Sequence, residues 1–193
     1  SRRSLASTGT HRLMSTQAVF ENLELKHKVF GTVSGLVRDD CVLATNTSAI
    51  PIEKVAAGID KPERVLGMHY FSPAPSMQLL EIIPHAGTNE ESMSKAFSVG
   101  IKQGKTCIEV ADVPGFYVNR ALAPMMAEVA PLFEDGVTPK QLDEAILDLG
   151  MPVGPITLLD EVGADVGLHV QHTMLADSTM GSRMAGAKPE MLQ

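Results

Sequence analysis

His69 ends one apolar run, RVLGMHYF, and Glu81 lies inside the next, MQLLEII, with SPAPS between the two runs. Two short apolar runs joined by a proline-rich reversal predict an antiparallel hairpin. A reversal centred on Pro75 sets His69 directly opposite Glu81 on one face, with Cβ atoms about 4.5–5.5 Å apart. A carboxylate that accepts a hydrogen bond from one imidazole nitrogen fixes the tautomer. It leaves the base role to the other nitrogen and stabilises the imidazolium once a proton has been taken. That is the wiring of a general acid/base. A structural pairing at a sheet edge is the alternative these two residues leave open.

Two further stretches carry polar groups in telling places. The NTS loop, Asn46 to Ser48, follows a short apolar run as SPAPS follows another. In open α/β sheets ligands gather beyond the carboxyl ends of the strands, so Ser48 and His69 are candidates for one crevice. The other role for Thr47 or Ser48 is to cap a helix that begins near Pro51. In PGFYVNR, Pro114 to Arg120, Asn119 stands in the first turn of a predicted helix. There a buried amide is a hydrogen-bond partner for a substrate oxygen, or else a cap or packing group.

The elements that must position these residues follow from apolar spacing. Leu25, Val29, Val33, Leu36 and Val37 predict a first helix between Glu21 and Arg38. Cys41–Ala44 reads as a buried strand, and Ile52–Ala57 as a helix opened by Pro51 and closed by Gly58. After the hairpin come a helix over Asn89–Gln103 and a strand over Lys105–Val110. Strands alternating with helices predict an α/β sheet. From Val113 onward the patterns are helical, including a helix opened by Thr138 and Pro139 and closed by Gly150. The tail from Ser178 is poor in apolar pattern. Leu122, Met125, Met126, Val129 and Leu132 form an apolar run suited to core packing, or to an acyl pocket because methionine adapts to flexible chains.

Composition narrows the partners. The 193 residues are 44% hydrophobic with a net charge of −7, which supports a buried core and offers no cationic surface for nucleic acid. The two cysteines are far apart and belong to no metal-ligand cluster, so no metal site is expected. No apolar run approaches the roughly 18 residues a membrane helix needs. The first 20 residues contain Arg2, Arg3 and Arg12, many hydroxyls and no acid. This composition fits an organelle transit peptide or a disordered leader, and residues 1–17 are read as the latter in structural terms.

Taken together, NTSAIPI, GMHYFSP, LLEIIP, DVPGFYVNR and MPVGPITLLDEVG resemble, in this order and spacing, the 3-hydroxyacyl-CoA dehydrogenases. The likeness is nearest to the dehydrogenase region of the multifunctional fatty acid oxidation enzymes, the mitochondrial one among them, and runs from about Ala18 to Gly167. It implies an α/β, incomplete Rossmann-type NAD-binding domain over residues 18–112 and an all-helical C-terminal domain over 113–193. It implies NAD-dependent oxidation of an L-3-hydroxyacyl-CoA to the 3-ketoacyl-CoA in β-oxidation, with His69 as base and Glu81 as its orienter. Ser48 and Asn119 would contact substrate, and Glu21, Lys26, Ser48 and Ser72 the cofactor, NAD.

For Glu21 and Lys26 a solvated helix face is the alternative from sequence. At Ser72 the single-function members usually carry Asn, a departure that bears on its contact. The partners implied are an acyl-CoA and either a homo-oligomer or a multienzyme β-oxidation complex. The expected location is mitochondrial, with cytoplasmic and peroxisomal as alternatives. No GxGxxG occurs in the chain. It therefore reads as the second half of an NAD domain joined to a helical domain, with a sheet edge and face laid open. Without the glycine turn, a catalytically inactive acyl-CoA-binding or subunit-association product is the second functional reading.

Overall fold

Short apolar runs separated by helix-forming segments give this chain its sheet, and the computed structural model describes residues 13–176 and residue 180. Two compact units form, Ser1–Thr47 with Ile52–Asp112, and Ser48–Pro51 with Val113–Gln193.

In the first unit five strands lie side by side in chain order: β1 (Met14–Gln17), β2 (Val42–Thr45), β3 (Val65–Tyr70), β4 (Leu79–Pro84) and β5 (Thr106–Glu109). β1, β2 and β3 are parallel, β4 runs against β3, and β5 runs with β4. Each parallel pair is bridged by a helix, as a crossover requires: α1 (Leu23–Ser34), α2 (Ile52–Ala56) and α3 (Glu90–Lys102). Asn22 and Asn89 cap α1 and α3 by accepting from Leu25 N and Ser92 N.

The pleat sorts the strand residues between two faces. Val42, Ala44, Leu66, Met68, Leu80 and Ile82 form a buried core with Ala96 of α3, flanked by Met93 and Phe97. Gly100 lets α3 come close, since a Cβ there would stand 2.3 Å from Cys107 Sγ. On the other face Gly67 admits Ile52 of α2, whose Cδ1 lies 2.8 Å from where a Cβ would be. His69 and Glu81 share this second face by parity.

β1 corrects the expectation of a disordered leader through residue 17. MSTQ has no apolar alternation to announce a strand. The all-buried β2 beside it, however, has backbone groups that must be paired. Val42 N donates to Leu13 O at 3.0 Å, Asn46 N donates to Gln17 O at 2.8 Å, and the Gln17 amide donates to the Thr45 hydroxyl. β1 therefore covers the edge of β2 that the sequence left open. Residues 1–12, where the rest of the leader was read, lie outside the described residues.

The second unit is helical: α4 (Val118–Ala127), α5 (Val129–Glu134), α6 (Pro139–Asp148), α7 (Pro155–Val162) and α8 (Ala164–Leu175). The break in the apolar run comes at Glu128. Pro131 then falls in the first turn of α5, where its missing N–H has no intrahelical partner to lose. Pro124 is carried inside α4. Ala123 is buried with Met174 and Met180, and Gly115, at φ +78°, leaves room for the Met174 side chain. Thr138 and Gln141 form a capping box on α6, and Gly150 (φ +94°) follows that helix. Among the described residues no helix is long and apolar enough to cross a membrane.

Asp143 of α6 caps α7, its Oδ1 accepting from Ile156 N at 2.8 Å and its Oδ2 from the Thr157 hydroxyl at 2.7 Å. A Cβ at Gly154 would fall 2.3 Å from this carboxylate, so glycine permits the approach. Desolvation pushes the Asp143 carboxyl up, but the bonds from Thr157 and the two amides outweigh it and hold it below the ordinary value of 3.8. Its stabilisation is therefore full above that value and lost as pH falls through the lower folded value. Asp143→Ala is expected to cost about 1 kcal/mol. The gap in urea midpoint between wild type and variant should close on acidification through that window.

Candidate active site

The carboxyl ends of β1, β2 and β3 lie along one edge of the sheet, and the candidate residues of the first unit collect there. The hairpin has the expected register, Gly67 opposite Ile83 and His69 opposite Glu81. His69 Nδ1 and Glu81 Oε2 are 2.7 Å apart. Glu81 is fully buried and His69 is 4% exposed, so water competes little for this bond. A carboxylate has no proton to give, so Nδ1 donates, which leaves Nε2 as the ring's basic atom. The Phe71 ring stands with its centroid 4.5 Å from that of His69.

The reversal between the strands is tied down from outside it. The Lys105 ammonium, at the start of β5, donates to Ala74 O and, at 2.7 Å, to Met77 O. Ser72 is exposed at the end of β3. Beside it in the sheet, Asn46 Oδ1 accepts from Tyr70 N at 3.1 Å, so the residue after β2 steadies the strand that carries His69.

Glu21 and Lys26 come together just beyond β1. Lys26 Nζ lies 3.3 Å from Glu21 Oε2, with the lysine side chain fully buried and the glutamate 25% exposed. Lys26 thus does not sit on a solvated helix face. The turn of chain before α1 folds its ammonium inward, where a buried charge requires a partner. Glu21 also accepts from the Thr47 hydroxyl. Thr47 thus reaches Glu21, and the first amides of α2 are received by Asp112. Its Oδ1 accepts from Ile52 N at 2.6 Å and its Oδ2 from Glu53 N at 2.7 Å. Burial pushes the Asp112 carboxyl above its ordinary range, against the pull of these two amides.

In the second unit Asn119 and Ser48 meet, the Asn119 amide donating to the Ser48 carbonyl at 3.3 Å. The sequence reading named the paired residues His69, Glu81, Glu21, Lys26, Ser48 and Asn119. It missed Asn46, Lys105 and Asp112 as supports. The one available signal was the acid immediately ahead of VPGFYVNR.

Comparison with known proteins identifies both parts of the chain. Residues 6–113 match the 3-hydroxyacyl-CoA dehydrogenase NAD binding domain and residues 115–193 the 3-hydroxyacyl-CoA dehydrogenase C-terminal domain. The fatty acid oxidation complex subunit alpha of Vibrio campbellii is 46% identical over 170 residues, covering 88% of this chain and 24% of the relative. That of Idiomarina loihiensis is 47% identical over 161 residues, covering 83% of this chain and 23% of the relative. The chain thus spans about a quarter of the length of the curated relatives it matches.

Among solved structures, M. tuberculosis FadB2 superimposes with a TM-score of 0.83 at 32% identity, over 94% of this chain and 64% of that one. The 3-hydroxybutyryl-CoA dehydrogenase of Escherichia coli K12 gives 0.78 at 33%, over 88% and 36%. The first unit is thus of Rossmann type and the second is the helical C-terminal domain. The family's likeness begins at residue 6 rather than near Ala18, which brings β1 inside it. The cofactor of the matched domain is NAD. The chain belongs to the 3-hydroxyacyl-CoA dehydrogenase family.

Proposed function

We propose that this chain carries the proton-transfer machinery for NAD-dependent oxidation of an L-3-hydroxyacyl-CoA to the 3-ketoacyl-CoA in fatty acid β-oxidation. The observation that carries the reading is the buried 2.7 Å bond between His69 Nδ1 and Glu81 Oε2. His69 Nε2 takes the proton from the 3-hydroxyl, and Glu81 holds the ring and stabilises the imidazolium. The chemistry supplied by bound NAD is acceptance of the hydride from carbon 3. Ser48 bonds the hydroxyl or the nicotinamide side, and Asn119 holds the substrate oxygen, aided by its own bond to the Ser48 carbonyl. The half-buried Leu122, Met125 and Met126 of α4 suit an acyl chain.

The residues present fit one half of the cofactor. Lys26, a fully buried ammonium paired with Glu21 beyond β1, suits the ribose and nicotinamide side, with Ser72 nearby in the chain segment after His69. The glycine-rich turn that holds the pyrophosphate in such domains, GxGxxG, is not among these 193 residues. A second reading is an inactive acyl-CoA-binding or subunit-association product. The domains that follow from the first reading are an NAD-binding part to Asp112 and a substrate and association part from Val113. Acyl-CoA is then the substrate, and a homo-oligomer or a β-oxidation complex the assembly. The basic segment 1–20 supports import into mitochondria, with cytoplasm or peroxisome as alternatives, although the relatives named above are bacterial.

The test is NADH formation from 3-hydroxybutyryl-CoA and longer substrates, in this chain and in one extended at its N-terminus by a glycine-rich βαβ segment. Turnover in the extended form supports the dehydrogenase reading, and its absence there refutes it. Tight binding of NAD to the 193-residue chain argues against the second reading.

A further inference from the structure

The reversal that carries the chain from β3 to β4 has little of its own to hold it. Residues 72–78 are exposed, and Pro73 and Pro75 have no N–H to give. Inside it Pro73 O accepts from Ser76 N and Met77 N, each at 3.1 Å, and from the Ser76 hydroxyl at 3.2 Å. The firmer ties come from one turn of the same unit, between α3 and β5. The Lys105 ammonium, with three donors to place, gives one to Ala74 O and one, at 2.7 Å, to Met77 O. Two residues earlier, Gln103 Oε1 accepts from the Tyr70 hydroxyl at 2.9 Å, at the end of β3.

That turn is itself fixed by the backbone. Gly104, at φ +75°, takes the left-handed conformation that ends α3, and Gly104 N and Lys105 N donate to Ile101 O and Gly100 O at 2.9 and 3.0 Å. Thr106 N then donates to Gln78 O at 2.8 Å as β5 opens. Lys105 thus stands between a closed helix end and a paired strand, and its side chain leaves from a fixed root. We infer that Lys105 is a positioning residue, whose ammonium holds the reversal in the shape that presents Ser72 to the cofactor. This rests on the dehydrogenase reading for what Ser72 touches, but not for the brace. His69 and Glu81 are held by the ladder between β3 and β4 and by their own bond. Loss of the ammonium therefore loosens Ser72 and leaves proton transfer intact.

Lys105→Met keeps the length of the stem and removes the donors. On the full chain, amide order parameters at Ala74, Ser76 and Met77 should fall from about 0.85, the value of rigid backbone, to about 0.6, with β3 and β4 unchanged. Lys105→Arg, which keeps a cation and N–H donors, should return most of the order. Wild-type order parameters in the reversal of Lys105→Met, or an equal fall along β3 and β4, would overturn the assignment. In the N-terminally extended form, Lys105→Met should raise KM for NAD about tenfold with kcat within about twofold of its parent, the pattern left when binding alone is lost. An unchanged KM beside a loosened reversal would overturn the role given to Ser72 and leave the brace standing. Absence of turnover in the extended parent would instead refute the dehydrogenase reading.

Discussion

His69→Gln is expected to lower kcat for NADH formation by about 10²–10⁴-fold, the usual contribution of a placed general base. Glutamine is chosen because its amide can still donate to the buried Glu81. Alanine would strand a carboxylate that is fully buried, and that alone costs about 3–5 kcal/mol. A variant that unfolds says nothing of chemistry. With glutamine the urea midpoint should move little while turnover collapses. Turnover within a few-fold of wild type in a folded His69→Gln chain would mean that the ring takes no proton, and the hairpin pairing would then be structural.

The second large effect belongs to Glu81. Glu81→Gln keeps the shape of the side chain but removes its charge, so the imidazolium formed during turnover loses its compensation in a site with little water. The amide can also offer N–H to Nδ1, favouring the tautomer with the proton on the wrong nitrogen. A fall of about 10²–10⁴-fold in kcat is expected, the upper end matching conversion of a triad carboxylate to an amide. Because both residues act as one unit, the double variant should be no slower than His69→Gln by more than about twofold. A double variant as slow as the product of the two single losses would show that Glu81 works by some route other than the ring. Kinetic constants for all four chains, with midpoints as a control on folding, decide it.

The pair was legible because a hairpin is a local problem. SPAPS reverses the chain within a few residues, the side-chain period of two carries the register outward, and an error of one residue would have placed a histidine and a glutamate on the apolar α3 face. The alternation of strand and helix announced an α/β sheet for similar reasons, and the motifs in their order announced the family. The helix limits were legible wherever the chain carries its own punctuation, as Thr138, Pro139 and Gly150 do around α6.

Other features had no local signature. Met14–Gln17 is polar and lacks alternation, and becomes a strand because β2 presents an edge that must be paired. Lys26 reads as a surface residue of an amphipathic helix, and its burial depends on Glu21 and the Val19 carbonyl folding over it. The cap of α2 lies 60 residues away at Asp112, where the NTS loop offered nearer hydroxyls, and the cap of α7 comes from the neighbouring helix α6.

What this chain spells out residue by residue is the hairpin, its facing acid and imidazole, the order of helices and strands, and the kinship those motifs carry. Which strand closes the open edge, which carboxylate caps which helix and which lysine goes inside are left to the folded chain. Periodicity and turns act over a few residues. Edge pairing, distant capping and charge burial depend on what else the collapsed chain brings within about 3 Å, and a backbone N–H donates to any well-placed oxygen.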